Sequence, residues 1–295
     1  MKHFDAVEQA EETIEQVWSL LGEAHVQKAR QISERLVQEL LDWLEEDGEH
    51  ATRLFYTKLA HACHAAGYLV AMSVRYTEAQ AVIAYFEEML RAAYELESDA
   101  LATIALTYEG DMYRRADDFN EARRHLQRAY DLPQEDLAAH GNCAQLLARF
   151  YSQIGDVENF VRLMEEAECI AREIDPSGSS LHGQYSLGTV YIDYSKHYSK
   201  IGETAKALDY FARAEESLPD MPHWRTLVTA THGLLLVRNN NLEQGMSYVV
   251  EAAKLALDHG NLRLLDHFYA LQSHLARKST EFNQASVRLS EALYG

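Results

Sequence analysis

The side chains with the most chemical potential in this 295-residue chain are a few histidines, three cysteines, several carboxylate pairs and a tyrosine stripe. The segment HACH sets His61 and His64 one helical turn apart with Cys63 between them. An i, i+3 histidine pair can begin a zinc site, but zinc needs three or four converging ligands and no second cluster accompanies this pair. Two polar or half-buried helix histidines are therefore expected. His267 and His274, seven residues apart, share a helical face without a further ligand, and no H-E-x-x-H occurs. The acidic pairs in LEEDGE, YFEEML, LMEEAE and RAEESL have the residue types of a general acid and base. Each falls on a helix surface or near a helix end, where a solvated face is the ordinary state of such residues. There is no G-x-S-x-G, no phosphate-cradling glycine loop, and no Ser/His/Asp or Cys/His arrangement. No catalytic residue, metal ligand or cofactor is expected, and the chain reads as a non-enzyme.

The stretch YIDYSKHYSK places Tyr191, Tyr194 and Tyr198 at i, i+3 and i+7, on one helical face. Such a stripe can be an aromatic cage, a stacking platform for nucleic acid, or the packed side of a helix. The formal charge of −19 argues against nucleic acid, whose binding depends on clustered Lys and Arg. The acidity is uneven. Residues 1–50 hold 4 Lys/Arg against 13 Asp/Glu, whereas residues 236–295 hold 6 of each. Cys63, Cys143 and Cys169 are odd in number and far apart, so a reducing compartment is expected over a disulfide framework. The amino terminus lacks the apolar run of a signal peptide, and no window approaches the ~18 apolar residues that span a bilayer. A cytoplasmic, non-membrane protein is expected.

The elements that must position these residues are helices. Only 4 prolines and 14 glycines punctuate the chain, and apolar residues recur at helical spacing in blocks of about 15 to 20. Breakers such as EEDGEH, RADDFN, QIGDVEN, KIGETA, RNNNLE and RKSTEFN divide it into about fourteen helices. Even spacing without strands calls for a repeat search. One unit contains Leu106, Gly110 and Tyr113, then Ala122, Leu126, Ala129 and Pro133. The next contains Ala144, Leu147, Ala148 and Tyr151, then Phe160, Met164 and Ala167. A third sets Tyr191, Tyr194, Ser195 and Tyr198 ahead of Ala207, Phe211, Ala214 and Pro219. A fourth sets Thr229, His232, Gly233 and Leu236 ahead of Gly245, Val249 and Ala252. A fifth sets Tyr269 and Ala276 ahead of Ala285, Leu289 and Ala292.

These units resemble the tetratricopeptide family, whose signature is W-x₂-L-G-x₂-Y, then A-x₃-F, then a proline near the end of the unit. Glu109 in the usual leucine slot is a departure. The Tyr-slot residues 113, 151, 198, 236 and 276 are 38, 47, 38 and 40 apart, so both helices are longer than the minimal repeat. The longest step absorbs the insertion REIDPSGSSLHGQ. Residues 98–295 are assigned to the repeats. Residues 1–97 read as degenerate helical hairpins of the same kind, with Trp18, Gly22 and Ala29 in suggestive places. The resemblance implies an all-α fold: a right-handed superhelical solenoid of antiparallel helix hairpins, single and continuous, with a concave groove.

In that register Tyr191, Tyr194 and Tyr198 occupy core slots, and the groove face of each first helix lies about 120° away. The groove candidates are Arg114, Asn142, Gln145, Arg149, Lys196, Lys200, Arg238 and His274, accompanied by Thr107, Asp111, Arg115 and His267. Amides and cations suit the hydrogen bonding of extended peptide and carboxylate groups. The expected function is non-enzymatic capture of a protein or peptide ligand with acidic or carboxylate groups, without direct nucleic-acid binding. The long repeats look like the sensor region of bacterial tetratricopeptide regulators, including the peptide-sensing Rap type. The competing expectation is a self-associating scaffold or adaptor that docks through its acidic amino-terminal half, a homodimer being one form.

Overall fold

A computed structural model describes the backbone of residues 2–75 and 78–294 and the side chains of residues 9–75, 78–281, 283 and 287–289. Among the described residues there are thirteen α-helices, two short 3-10 turns and no strand. Consecutive helices pair as antiparallel hairpins. The first is α1 (Lys2–Gly22) with α2 (Val26–Asp47), the second α3 (Arg53–Ser73) with α4 (Ala79–Leu96). Next come α5 (Asp99–Arg115) with α6 (Phe119–Tyr130), and α7 (Leu137–Ile154) with α8 (Val157–Glu173). Then follow α9 (Leu187–Lys200) with α10 (Thr204–Ser217), α11 (Pro222–Arg238) with α12 (Leu242–His259), and a single α13 (Leu262–Tyr294). Each hairpin packs on its neighbour, which makes the chain a helical-repeat solenoid.

The backbone marks the repeat where the hairpins turn. Asp117, Gly155, Gly202 and Asn240 all adopt left-handed conformations, with φ of 59°, 84°, 83° and 62°. Each lies four residues after a Tyr-slot residue. Glycine, Asn and Asp tolerate this region at little cost, which is why the turns fall at these residue types. Asp118 and Asp156 then cap α6 and α8 by accepting hydrogen bonds from the backbone N–H groups of Glu121 and Asn159. The alanine slots make the close contacts between helices: Ala122, Ala129, Ala144, Ala167, Ala207, Ala214 and Ala252 are all fully buried.

The tyrosine stripe is scaffold. Tyr191 and Tyr194 are buried, Tyr198 is partly buried, and the rings of Tyr194 and Tyr198 stack on Tyr210 of α10 at 4.4 and 5.6 Å. Phe160 meets Tyr194 edge-on, and burying a side chain of this size contributes on the order of 2–3 kcal/mol.

Two expectations need correction. The fifth hairpin does not form, because α13 runs unbroken through RKSTEFN. That segment is polar but has β-branched Thr280 where the other turns carry Gly, Asp or Asn. The Thr280 hydroxyl donates back to the Ala276 carbonyl, and Lys278 pairs with Glu281 along the same helix. The side chains of Ala285 and Ala292, assigned to that hairpin, lie outside the described residues. Trp18 also fails as a repeat marker. Its hairpin turns at Ala24, too early for the register, and its ring stacks instead on His182 at 4.7 Å.

The amino- and carboxy-terminal hairpins meet. Helix α1 touches α11 and α3 touches α13, with Met221 against Gly22, the Gln27 amide donating to the Gly260 carbonyl, and Arg75 paired with Asp266 at 3.1 Å. The insertion between α8 and α9 strengthens this closure from inside. His182 packs on Trp18, Gln184 accepts a hydrogen bond from the Tyr108 hydroxyl, and buried Tyr185 donates to the Ala167 carbonyl.

Candidate functional site

Closure of the solenoid encloses a central lumen of about 600 Å³, within the range of small-ligand pockets. Helices α5, α7, α9, α11 and α13 supply most of its wall, with Tyr68 and Met72 from α3 and Gln184 from the insertion. One side is apolar, built from Leu227, Leu234 and Leu235 on α11 and Leu264 and Phe268 on α13. The lining as a whole carries seven Lys or Arg against three Asp and no Glu, a local balance of +4 inside a protein of charge −19.

Arg114, Asn142, Arg149, Lys196, Lys200 and Arg238 all line this lumen. Gln145 does not. It is buried behind the wall, where its amide donates to the Asp193 carboxylate at 2.5 Å and to the Thr189 carbonyl at 3.1 Å. Its amide N–H donors are used between α7 and α9. His274 is also misplaced by the sequence register. It lies on the exposed surface of α13, 3.3 Å from Arg277, because the continuous helix carries it past the lumen.

Several wall residues escape the sequence argument: His223 and Trp224 at the start of α11, and Asn261 and Arg263 at the start of α13. Arg263 precedes His267 by four residues, so both share one helical face, and anchoring the last unit on the left-handed turn at Gly260 would have found it.

The lumen cations fall into two sets. Arg114 donates to Asp111 at 2.6 and 2.9 Å and to Gln153 at 2.8 Å, and Arg115 pairs with the second Asp111 oxygen. Arg149 pairs with Asp193 at 2.5 Å. Lys200 donates to the Ser152 carbonyl at 2.8 Å. Burial alone would raise the Asp111 carboxyl, but the guanidinium groups of Arg114, Arg115 and Arg149 overcome it and hold the group well below the usual carboxylate range. Lys196, Arg238 and Arg263, by contrast, make no hydrogen bond or ion pair with any described residue.

Burial, then the positive charges of Arg149, Arg263 and Arg238, depress the Lys196 ammonium to about 8, with Asp193 opposing them. His267, exposed to the lumen, is held down to about 3 by desolvation from the surrounding wall and then by Lys196, Arg263, Arg115 and Arg114. His223 is depressed to about 4, by burial and then by Arg263 and His259. Both imidazoles are neutral near pH 7 and offer one donor and one acceptor each.

The other histidine cluster is a packed core. His64 is completely buried against Trp18 and Tyr108, with both ring nitrogens unpartnered and its basicity pushed well down by burial. Among the described residues no group of three or more His, Cys, Asp or Glu side chains converges as a metal site would need. Among them no helix is long and apolar enough to cross a membrane.

No protein-family model matches the chain, and no curated protein matches it by sequence. Solved structures do. BtubC (BKLC) from P. vanneervenii is similar at a TM-score of 0.51 and 15% identity, over 79% of this chain and 91% of that one. A Rap protein complexed with competence and sporulation factor is similar at a TM-score of 0.52 and 12% identity, over 89% of this chain and 80% of that one. At these identities the likeness concerns fold alone, and the chain is a helical-repeat protein.

Proposed function

We propose that the chain is a tetratricopeptide-type binding module that takes a protein or peptide segment into its lumen and performs no chemistry on it. The observation that carries this reading is the lumen itself: a cavity walled by successive first helices, lined by both apolar side chains and an excess of cations. Successive hairpins with one turn geometry and alanine-lined contacts support the family reading. The neighbouring Rap protein was solved with a competence and sporulation factor bound, which supports a sensor role in a bacterial regulator, and the three scattered cysteines support a cytoplasmic setting for it.

The second reading, a scaffold that docks through the amino-terminal half, rests on the charge of residues 1–50, 4 Lys/Arg against 13 Asp/Glu. A peptide-library screen on the intact chain separates the two. Lys196→Glu with Arg238→Glu should abolish capture and leave assembly unchanged. Undiminished capture in that variant, with assembly lost after neutralising acidic residues of α1 and α2, would establish the scaffold reading instead.

A further inference from the structure

Lys196 on α9, Arg238 on α11 and Arg263 on α13 come from three helices far apart in sequence and face one lumen without a partner. Lys196 and Arg263 are partly buried and Arg238 is exposed, Asp193 favours the Lys196 charge without bonding to it, and a cation in a confined cavity is ordinarily held by a bonded counter-ion. This protein does pair the other half of its lumen: Asp111 takes Arg114 and Arg115, and Asp193 takes Arg149. The remaining three are close enough to oppose one another, since Arg263 and Arg238 both disfavour the charged form of Lys196. Beside them Leu227, Leu234 and Phe268 form a continuous apolar surface. Leaving three cations unpaired at this point only makes sense if a negative group from outside completes the wall.

We propose that the lumen recognises a short peptide carrying two adjacent negative charges, held by Lys196, Arg238 and Arg263, with a neighbouring apolar side chain against Leu227, Leu234 and Phe268. This rests on the peptide-binding reading above and names the ligand's chemistry. Three cations exceed what one carboxylate neutralises, which is why the ligand carries a pair. The guanidinium groups of Arg238 and Arg263 can each take a carboxylate through two parallel hydrogen bonds, with Lys196 as a point charge between them. A lumen of about 600 Å³ admits only a few residues, so the charged pair and the apolar residue are close neighbours in the peptide. The outer surface of a −19 protein repels such a ligand, and the cationic corner is the exception that selects it.

The test is fluorescence anisotropy on the intact wild-type chain with two labelled hexapeptide pools. One fixes Leu-Asp-Glu at its centre between randomised flanks, and the other fixes Leu-Asn-Gln. The acidic pool should bind, and the amide pool should bind at least about tenfold more weakly. Lys196→Met, Arg238→Gln and Arg263→Gln should each weaken the acidic pool by about tenfold, with circular dichroism showing helix content unchanged. Equal binding of the two wild-type pools would overturn the charge assignment while leaving peptide capture standing. If neither pool binds, the peptide-binding reading falls and this proposal with it. If in that case inorganic pyrophosphate still raises the melting temperature, the lumen takes a small phosphate-bearing anion and not a peptide.

Discussion

Asp111 and Lys196 show how single residues divide the lumen between scaffold and site. Asp111 is fully buried and grips the two guanidinium groups that follow it on the last turn of α5. Asp111→Ala removes the buried carboxylate that both guanidinium groups share, so it should destabilise the fold by about 3–5 kcal/mol, read as a shifted urea midpoint. Its carboxyl is held far below the ordinary range in the folded state, so its contribution is present above the unfolded value near 4 and survives until strongly acid pH. Lys196 works in the opposite sense. Its folded value of about 8 lies below the ordinary 10.5, so the folded protein carries an unfavourable charge below pH 8 that is relieved as pH rises toward the unfolded value. An anionic ligand needs that charge. Its affinity should therefore fall as pH rises through about 8, and Lys196→Met should flatten the curve. Asp193, Arg149, Arg238, Arg263 and His267 surround this group, and a pH profile unchanged by the substitution would contradict the role given to Lys196.

At the scale of elements, α11 and α12 cross where Gly233 faces Gly245. A Cβ on Gly233 would sit 2.8 Å from the Val249 backbone nitrogen and 3.0 Å from the Gly245 carbonyl oxygen. Neither atom can move without moving a helix, so Gly233→Ala should cost about 1–3 kcal/mol in thermal or urea unfolding. Small residues of this kind are what made the hairpins legible in the sequence, together with the Gly, Asp and Asn turns. The same reasoning shows where legibility ended. RKSTEFN has the polarity of a breaker but places Thr280 where the other turns carry Gly, Asp or Asn, so α13 continues and His274 is carried away from the lumen. A repeat register also assigns a residue to a face without saying who takes its hydrogen bonds. Gln145 is on a wall helix but buried behind the lumen, where Asp193 and Thr189 of the next hairpin claim its amide.

At the scale of the whole molecule, closure turns a groove into a lumen. It depends on small rotations summed over six hairpins, which no local pattern encodes, and on the insertion that sets His182 against Trp18. His223, Trp224 and Arg263 become wall residues only through that closure. Trp224 is consequently a reporter of occupancy. With Trp18→Phe and Trp43→Phe it is the sole indole, and emission can be followed while library-selected peptides are titrated into the intact chain. Binding inside the lumen should shift the Trp224 emission saturably and should be lost in Lys196→Glu with Arg238→Glu. Peptides that still bind this variant, with Trp224 emission unmoved throughout, would place recognition outside the lumen and contradict the account.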